Sequence, residues 1–284
     1  MVRKILLILN LLLLLATGSL AGISLTPLLI DLDMKPGSAY EGVLEVTNTG
    51  TAPMKVRAMV AGFYSSPNGV PRFIFMEDEK AYAYSGRNLL TLEPSEAVLQ
   101  GGEVKEFAYK IIFPEVPKPF GGRYMAALFE ATPLEEEAAK GGSRIKVATR
   151  VACLFLIRPS EPLVLGDQFL DLEVKGSIDK VIVKKVAERR FIIAPVFTNK
   201  GNVHIRASEF GGSVIVRSAE GQTVISLPIE PHNILPGTSF ILKTVWDVPK
   251  DLPAGRYKLE VKIEVTDPYG QKHLFSSQTD VDVG

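Results

Sequence analysis

Side chains with versatile chemistry are scarce in this chain. Its 284 residues hold one cysteine, Cys153, and three histidines. One thiol closes no intramolecular disulfide and builds no thiolate metal cage. His204, His232 and His273 are scattered along the chain, with no nucleophile beside any of them. There is no Ser/His/Asp spacing, no paired carboxylates with a sequence rationale and no Gly-rich phosphate loop. A surplus of one charge is missing too, since 32 Lys+Arg balance 32 Asp+Glu. No basic excess is therefore present to hold a nucleic acid. These absences argue against an enzyme and leave no catalytic, cofactor-binding or metal-ligating residues to nominate.

Long apolar runs are confined to the start. Arg3 and Lys4 precede the run Ile5 to Ala16, broken only by Asn10, and Ser19-Leu20-Ala21 follows. A charged start, about a dozen apolar residues and an A-x-A-like site are the marks of a secretory signal peptide. The run falls short of the roughly 20 apolar residues that a spanning helix needs. Residues 1–21 are therefore expected to be removed on export. That takes two of the 32 basic residues and leaves 30 against 32 acidic ones, a net charge of −2. The expected location is the periplasm or cell envelope, without stable membrane insertion after cleavage.

The remainder carries an internal repeat. Val46-Thr47-Asn48-Thr49-Gly50 recurs as Phe197-Thr198-Asn199-Lys200-Gly201, each copy followed by a strand-like run with an Arg, Arg57 or Arg206. Gly122-Arg123-Tyr124 matches Gly255-Arg256-Tyr257, each after a Pro-rich turn. The Asn marks are 151 residues apart and the Tyr marks 133. Such a period is far longer than a solenoid unit and indicates two related domains in tandem. Arg158-Pro159-Ser160-Glu161-Pro162 supplies the boundary, because its prolines stop strand pairing, giving domains of 22–158 and 159–284.

Both halves read as β. Tyr257, Leu259, Val261, Ile263 and Val265 alternate with Lys258, Glu260, Lys262, Glu264 and Thr266, and Val104 to Phe113 alternates in the same way. A period of two marks a strand with one buried and one wet face. Turn signals such as Pro36-Gly37, Pro67-Asn68-Gly69 and Pro268-Tyr269-Gly270 separate the runs. About seven strands per half fit an all-β protein of two immunoglobulin-like sandwiches. Pro133 to Lys140, the one helical pattern, is short and polar and reads as a loop.

In its first half the chain resembles the periplasmic chaperones of pilus (fimbrial) assembly, as a divergent member. Ser143 to Pro159, an alternating apolar run ending in Arg158-Pro159, is similar to the last strand of their first domain. Gly122 to Pro133 is similar to the strand before it, and Ile23 to Pro27 with Leu44 to Asn48 to the first two. The resemblance implies that this last strand is lent to a pilin-like subunit, with Ile145, Val147, Thr149 and Val151 as the partner-binding positions. Main-chain ladders then supply affinity and alternate side chains supply register. Lys146 and Arg150, on the opposite face, would discourage self-pairing of the edge. The same residue pattern also allows Ile145, Val147 and Val151 simply to fill this domain's own core. The family grips the subunit's terminal carboxylate with an Arg on the first strand and a Lys on the last. Aligned on Arg158-Pro159, the Lys position here is Leu154, and Leu25 to Ile30 contains no Arg. A second class of function stays open beside the chaperone: a structural or adhesive envelope module that binds protein or glycan.

Several smaller features complete the reading. Asp31-x-Asp33 lacks the glycine-bearing loop of a calcium site and is expected to be a solvated strand face. Glu77-Asp78-Glu79 and Glu135-Glu136-Glu137 read as wet loops. Cys153 is expected to be an inert core thiol and Trp246 a core residue. Val70 to Met76 is unusually apolar for a sandwich edge.

Overall fold

The computed structural model describes residues 22–75, 82–134 and 148–284. Among these residues the chain is all β, with two single-turn 3-10 segments, Arg87–Leu89 and Ala207–Glu209, and no α-helix. The first half contains β1 (Ile23–Thr26), β2 (Leu29–Met34), β3 (Ala39–Asn48), β4 (Met54–Ser65), β5 (Pro71–Ile74), β6 (Leu90–Glu93), β7 (Glu96–Leu99), β8 (Val104–Ile112), β9 (Arg123–Pro133) and β10 (Thr149–Pro159). They form two sheets, ordered β1-β3-β8-β6 and β2-β10-β9-β4-β5, with β7 also paired to β4.

Pro27 explains why the opening segment belongs to both sheets. It has no N–H to continue a ladder, so the strand breaks there. β1 pairs with β3 in one sheet, whereas β2 crosses to the other and lies parallel to β10. Alternation then fixes the core: Leu44, Val46, Phe107, Ile111, Phe129, Phe155 and Ile157 are buried between the two sheets.

β9 departs from that alternation. Every residue from Arg123 to Phe129 is buried, because the second sheet is covered on both faces. One face packs on the core and the other on a cluster of Ala61, Phe63, Tyr124, Ala126, Leu128 and Leu156 that includes Leu235 from the second half. The run Met125-Ala126-Ala127-Leu128-Phe129 is thus a doubly covered strand written in apolar residues, with small ones at its centre.

The second half begins with a hairpin of β11 (Leu163–Leu165) and β12 (Gln168–Leu170). It continues with β13 (Gly176–Ala187), β14 (Arg190–Asn199), β15 (Phe210–Arg217), β16 (Thr223–Pro228), β17 (Ser239–Ile241), β18 (Thr244–Asp247), β19 (Gly255–Thr266) and β20 (Lys272–Val283). β14 carries β13 on one flank and β17 with β18 on the other, and the facing sheet is ordered β16-β15-β19-β20. Tyr257, Leu259, Val261, Ile263 and Val265 are all buried in a core that also holds Trp246. Each half has more and shorter strands than the expected seven, because breaks such as Pro27 and Leu242-Lys243 divide single runs in two.

The repeated Asn motif has a structural counterpart. Asn48 and Asn199 are both fully buried. Asn48 Oδ1 accepts from Gly50 N at 2.9 Å, and its Nδ2 donates to Ala52 O at 2.8 Å and Leu99 O at 3.1 Å. Asn199 repeats the pattern with Gly201 N, Val203 O and Ile234 O, each at 2.9 Å. The Arg and Tyr marks do not stay equivalent. Arg123 is buried and donates to Gly122 O and Pro119 O, whereas Arg256 is exposed and pairs with Asp280.

Candidate functional site

The two sandwiches meet along a joint made of charge on one side and apolar groups on the other. Arg206, on the loop after β14, donates to both Asp31 oxygens through Nε at 3.1 and 3.0 Å and to Asp33 through Nη1 and Nη2 at 2.9 Å. Arg158, at the end of β10, adds bonds to Asp33 and Glu209. His204 is fully buried between Asp31 and Tyr124, with Nε2 3.3 Å from Asp31 Oδ1 and Nδ1 3.3 Å from Tyr124 Oη. A carboxylate only accepts, so Nε2 carries the proton and Nδ1 accepts from the Tyr124 hydroxyl.

This corrects the reading of Asp31-x-Asp33 as a solvated face at Asp31, which is half-buried, while Asp33 stays exposed but is bound by two arginines. Burial by itself would raise both carboxyls; bonds from His204 and Arg206 to Asp31, and from Arg206 and Arg158 to Asp33, outweigh it and hold both below the ordinary value. The isolation of His204 in sequence was equally misleading, since its partner Asp31 lies 173 residues away. A usable signal existed: Arg206 is the Arg that follows the second Asn motif, and only its role as a cross-domain clamp was hidden.

Backbone bonds complete the joint, from Ile241 N to Pro67 O at 2.8 Å and from Gly122 N to Asn202 O at 2.9 Å. Gly121 permits this approach. Its φ is +136°, and a Cβ there would lie 2.1 Å from Asn202 O. Beside the joint runs a cleft of about 430 Å³ walled by Phe63, Leu154, Leu156, Leu235, Phe240 and His232. The ring of His232 stacks on Phe240 at 4.4 Å. Leu154, where the resemblance asks for a Lys, is thus part of an apolar wall.

β10 forms the edge of this region. From Thr149 to Ile157 it pairs antiparallel with β9, and from Leu154 to Pro159 it pairs with β2 on its other flank. Residues 149–153 therefore have one flank without a ladder partner among the described residues. Leu154 N donates to Leu28 O at 2.9 Å, on the β2 side. Main-chain groups alternate flanks residue by residue, so the N–H and C=O groups of Arg150 and Ala152 point to the open side. Leu28, at its end, is 61% exposed.

Of the four residues nominated for partner binding, Ile145 and Val147 lie outside the described residues, as do the helical pattern after Leu134 and both acidic runs. Thr149 and Val151 are half-buried, and Val151 packs against the first sandwich's own core. The face turned toward the second sandwich is carried instead by Ala152, Leu154 and Leu156. Cys153 is buried, and burial pushes its thiol up to about 12. In the apolar Val70 to Met76 stretch, Ile74 is buried whereas Val70 and Phe75 are exposed. Among the described residues no group of three His, Cys, Asp or Glu is placed to hold a metal ion, and no helix is long and apolar enough to cross a membrane.

No protein-family model and no curated protein matches the chain in sequence. Solved structures do resemble it. A structure of the chaperone–tip adhesin complex of CFA/I fimbriae is 15% identical, over 90% of this chain and 99% of that one, with a TM-score of 0.44. The E. coli chaperone DraB is 18% identical over 90% and 98%, with a TM-score of 0.39. The Salmonella enterica SafA pilin in complex with the SafB chaperone is 14% identical over 92% and 98%, with a TM-score of 0.41.

Proposed function

We propose that the protein is an exported, non-enzymatic chaperone that binds pilin-like subunits of a surface appendage by strand pairing along β10. Its two domains are 22–158 and 159–284. The observation that carries this reading is the half-open strand: β10 pairs with β9, yet the main-chain groups of Arg150 and Ala152 face a flank with no partner among the described residues. Unpaired edges invite strand addition, and proteins normally cover or shorten them. Here β2 covers the edge from Leu154 onward and stops at Leu29, which leaves a ledge one short strand long. The joint of Arg206, Asp31 and Asp33 fixes β2, and with it the end of that ledge.

Ala152→Pro tests the reading. Proline removes the N–H directed at the open flank and fixes φ, while the bonds to β9, made by the neighbouring residues, can stay in place. Co-purification from the native envelope should yield at least about ten-fold less subunit with the variant, with an unchanged far-ultraviolet spectrum. Equal yield would refute strand pairing on this flank. One observation favours the second reading, an adhesive envelope module: Val164 and Phe169, paired across the β11–β12 hairpin, are 67% and 63% exposed. A partner held by that hairpin would survive Ala152→Pro and be lost on Phe169→Ser.

A further inference from the structure

A row of alternating charge crosses the second sheet and ends at the open flank. Register sets Glu96 of β7 opposite Arg57 of β4, Arg57 opposite Glu130 of β9, and Glu130 opposite Arg150 of β10. All four side chains share the outer face of the sheet, the face on which Leu128, Leu156 and Ala61 pack farther along. From the far edge the signs run negative, positive, negative, positive. The next place in the row is empty among the described residues.

Arg150 Nη2 is bonded to Glu130, with the side chains 47% and 28% exposed. Arg150 and Glu130 form a non-hydrogen-bonded pair, because the main chain of Arg150 faces the other way, and such pairs bring side chains closest together. The rest of the guanidinium fork has no partner among the described residues. A fork of five donors can serve two carboxylates at once.

We infer that the strand added beside β10 carries an Asp or Glu at the rung of Arg150, with apolar residues at the neighbouring rungs of Thr149 and Val151. This rests on the strand-pairing reading above. The apolar requirement follows from alternation: Val151 packs on the core of the first sandwich, so a strand continuing the sheet turns the matching side chains to that same side. The acidic requirement follows from the row itself. A Lys or Arg placed there would sit directly across from Arg150, and like charges directly opposite destabilise a pair. Arg150 then has two effects on the flank. It repels a second copy of β10 and accepts an acidic partner strand, which makes it a specificity determinant.

The test uses the full-length exported protein and blocked nine-residue peptides alternating Val with Thr, with Glu, Gln or Lys at the central Thr position. Wild type should bind the Glu peptide about three- to ten-fold more tightly than the Lys peptide, the range set by one exposed cross-strand pair. Arg150→Glu should reverse that order, and Ala152→Pro should abolish binding of all three. If all three peptides bind wild type equally and Ala152→Pro abolishes this, strand pairing stands and the acidic rung is refuted. If a Glu preference persists in Arg150→Glu, the role of Arg150 is refuted. If no peptide binds, or Ala152→Pro leaves binding intact, strand pairing and the acidic rung fall together.

Discussion

Arg158 and Glu209 face each other across the joint, with the guanidinium Nη1 2.9 and 3.1 Å from the two carboxylate oxygens. Arg158 closes the last strand of the first sandwich, and Glu209 belongs to the 3-10 turn that opens β15 in the second. Only 5% of the Arg158 side chain and 17% of that of Glu209 are exposed. The pair therefore sits where a lost partner is felt strongly, because an uncompensated buried charge costs more than the pair contributes.

Arg158→Ala should destabilise the protein by about 2 kcal/mol, since it removes charge-assisted bonds to Glu209 and Asp33, although Arg206 still donates to both. Glu209→Ala should cost less, because Asp33 still holds Arg158 at 2.9 Å. The double variant should be clearly less destabilised than the sum of the two singles. Urea unfolding of the three variants measures this, and strict additivity would show that the two residues do not interact.

The same joint makes stability depend on pH in a stated direction. Burial pushes His204 below its ordinary value, against the opposing pull of Asp31. The folded protein therefore resists a proton that the unfolded chain takes up below about pH 6.5, so stability falls as pH drops through that value. Asp31 and Asp33 are also held low, so what they contribute is complete above their unfolded value of 3.8 and is lost below it. Two descending stages are expected, one beginning near pH 6.5 and one near pH 4. His204→Gln should remove the first stage and leave the second, as read from urea midpoints between pH 7 and 3.

Asn48 and Asn199 offer a matched pair of core tests. Replacing either by Ala leaves two carbonyls and one N–H inside the protein without their bonds, at a cost of about 3 kcal/mol. Either variant should lower the urea midpoint with an unchanged far-ultraviolet spectrum. The two effects should add, because the sites lie in different cores. A loss below about 0.5 kcal/mol in either would mean that water replaces the side chain.

How far the molecule was legible in its sequence follows from the range of each interaction. The clean alternation of Tyr257 to Val265 is legible in the sequence because the period of two is a local consequence of one buried face. The Asn motif was found because its pattern of bonds begins within four residues of itself. The Arg206 clamp was missed, since its partners are 173 and 175 residues distant and look like ordinary exposed acids. Alternation along β10 also could not say which face of that strand a second sandwich covers. Val151 therefore reads equally as a partner-binding residue or as core, and Leu154 only as a departure from the family's Lys; in the fold Val151 packs against the first core and Leu154 joins the cluster at the joint.

Cys153 provides a reporter for the edge strand itself. Its side chain is buried in the core beneath β10, and its thiol, pushed up to about 12, is almost wholly protonated at pH 8. The thiolate is the reactive form, so labelling must wait for β10 to open. Native protein at pH 8 should react at least about 100-fold more slowly with a thiol reagent than protein unfolded in urea. Arg158→Ala should speed the native reaction, because it loosens the end of the strand, and a bound Glu peptide should slow it by adding a ladder on the open flank. If the native rate matches the unfolded rate, β10 is not held as described, and a rate untouched by bound peptide would mean that the peptide sits elsewhere.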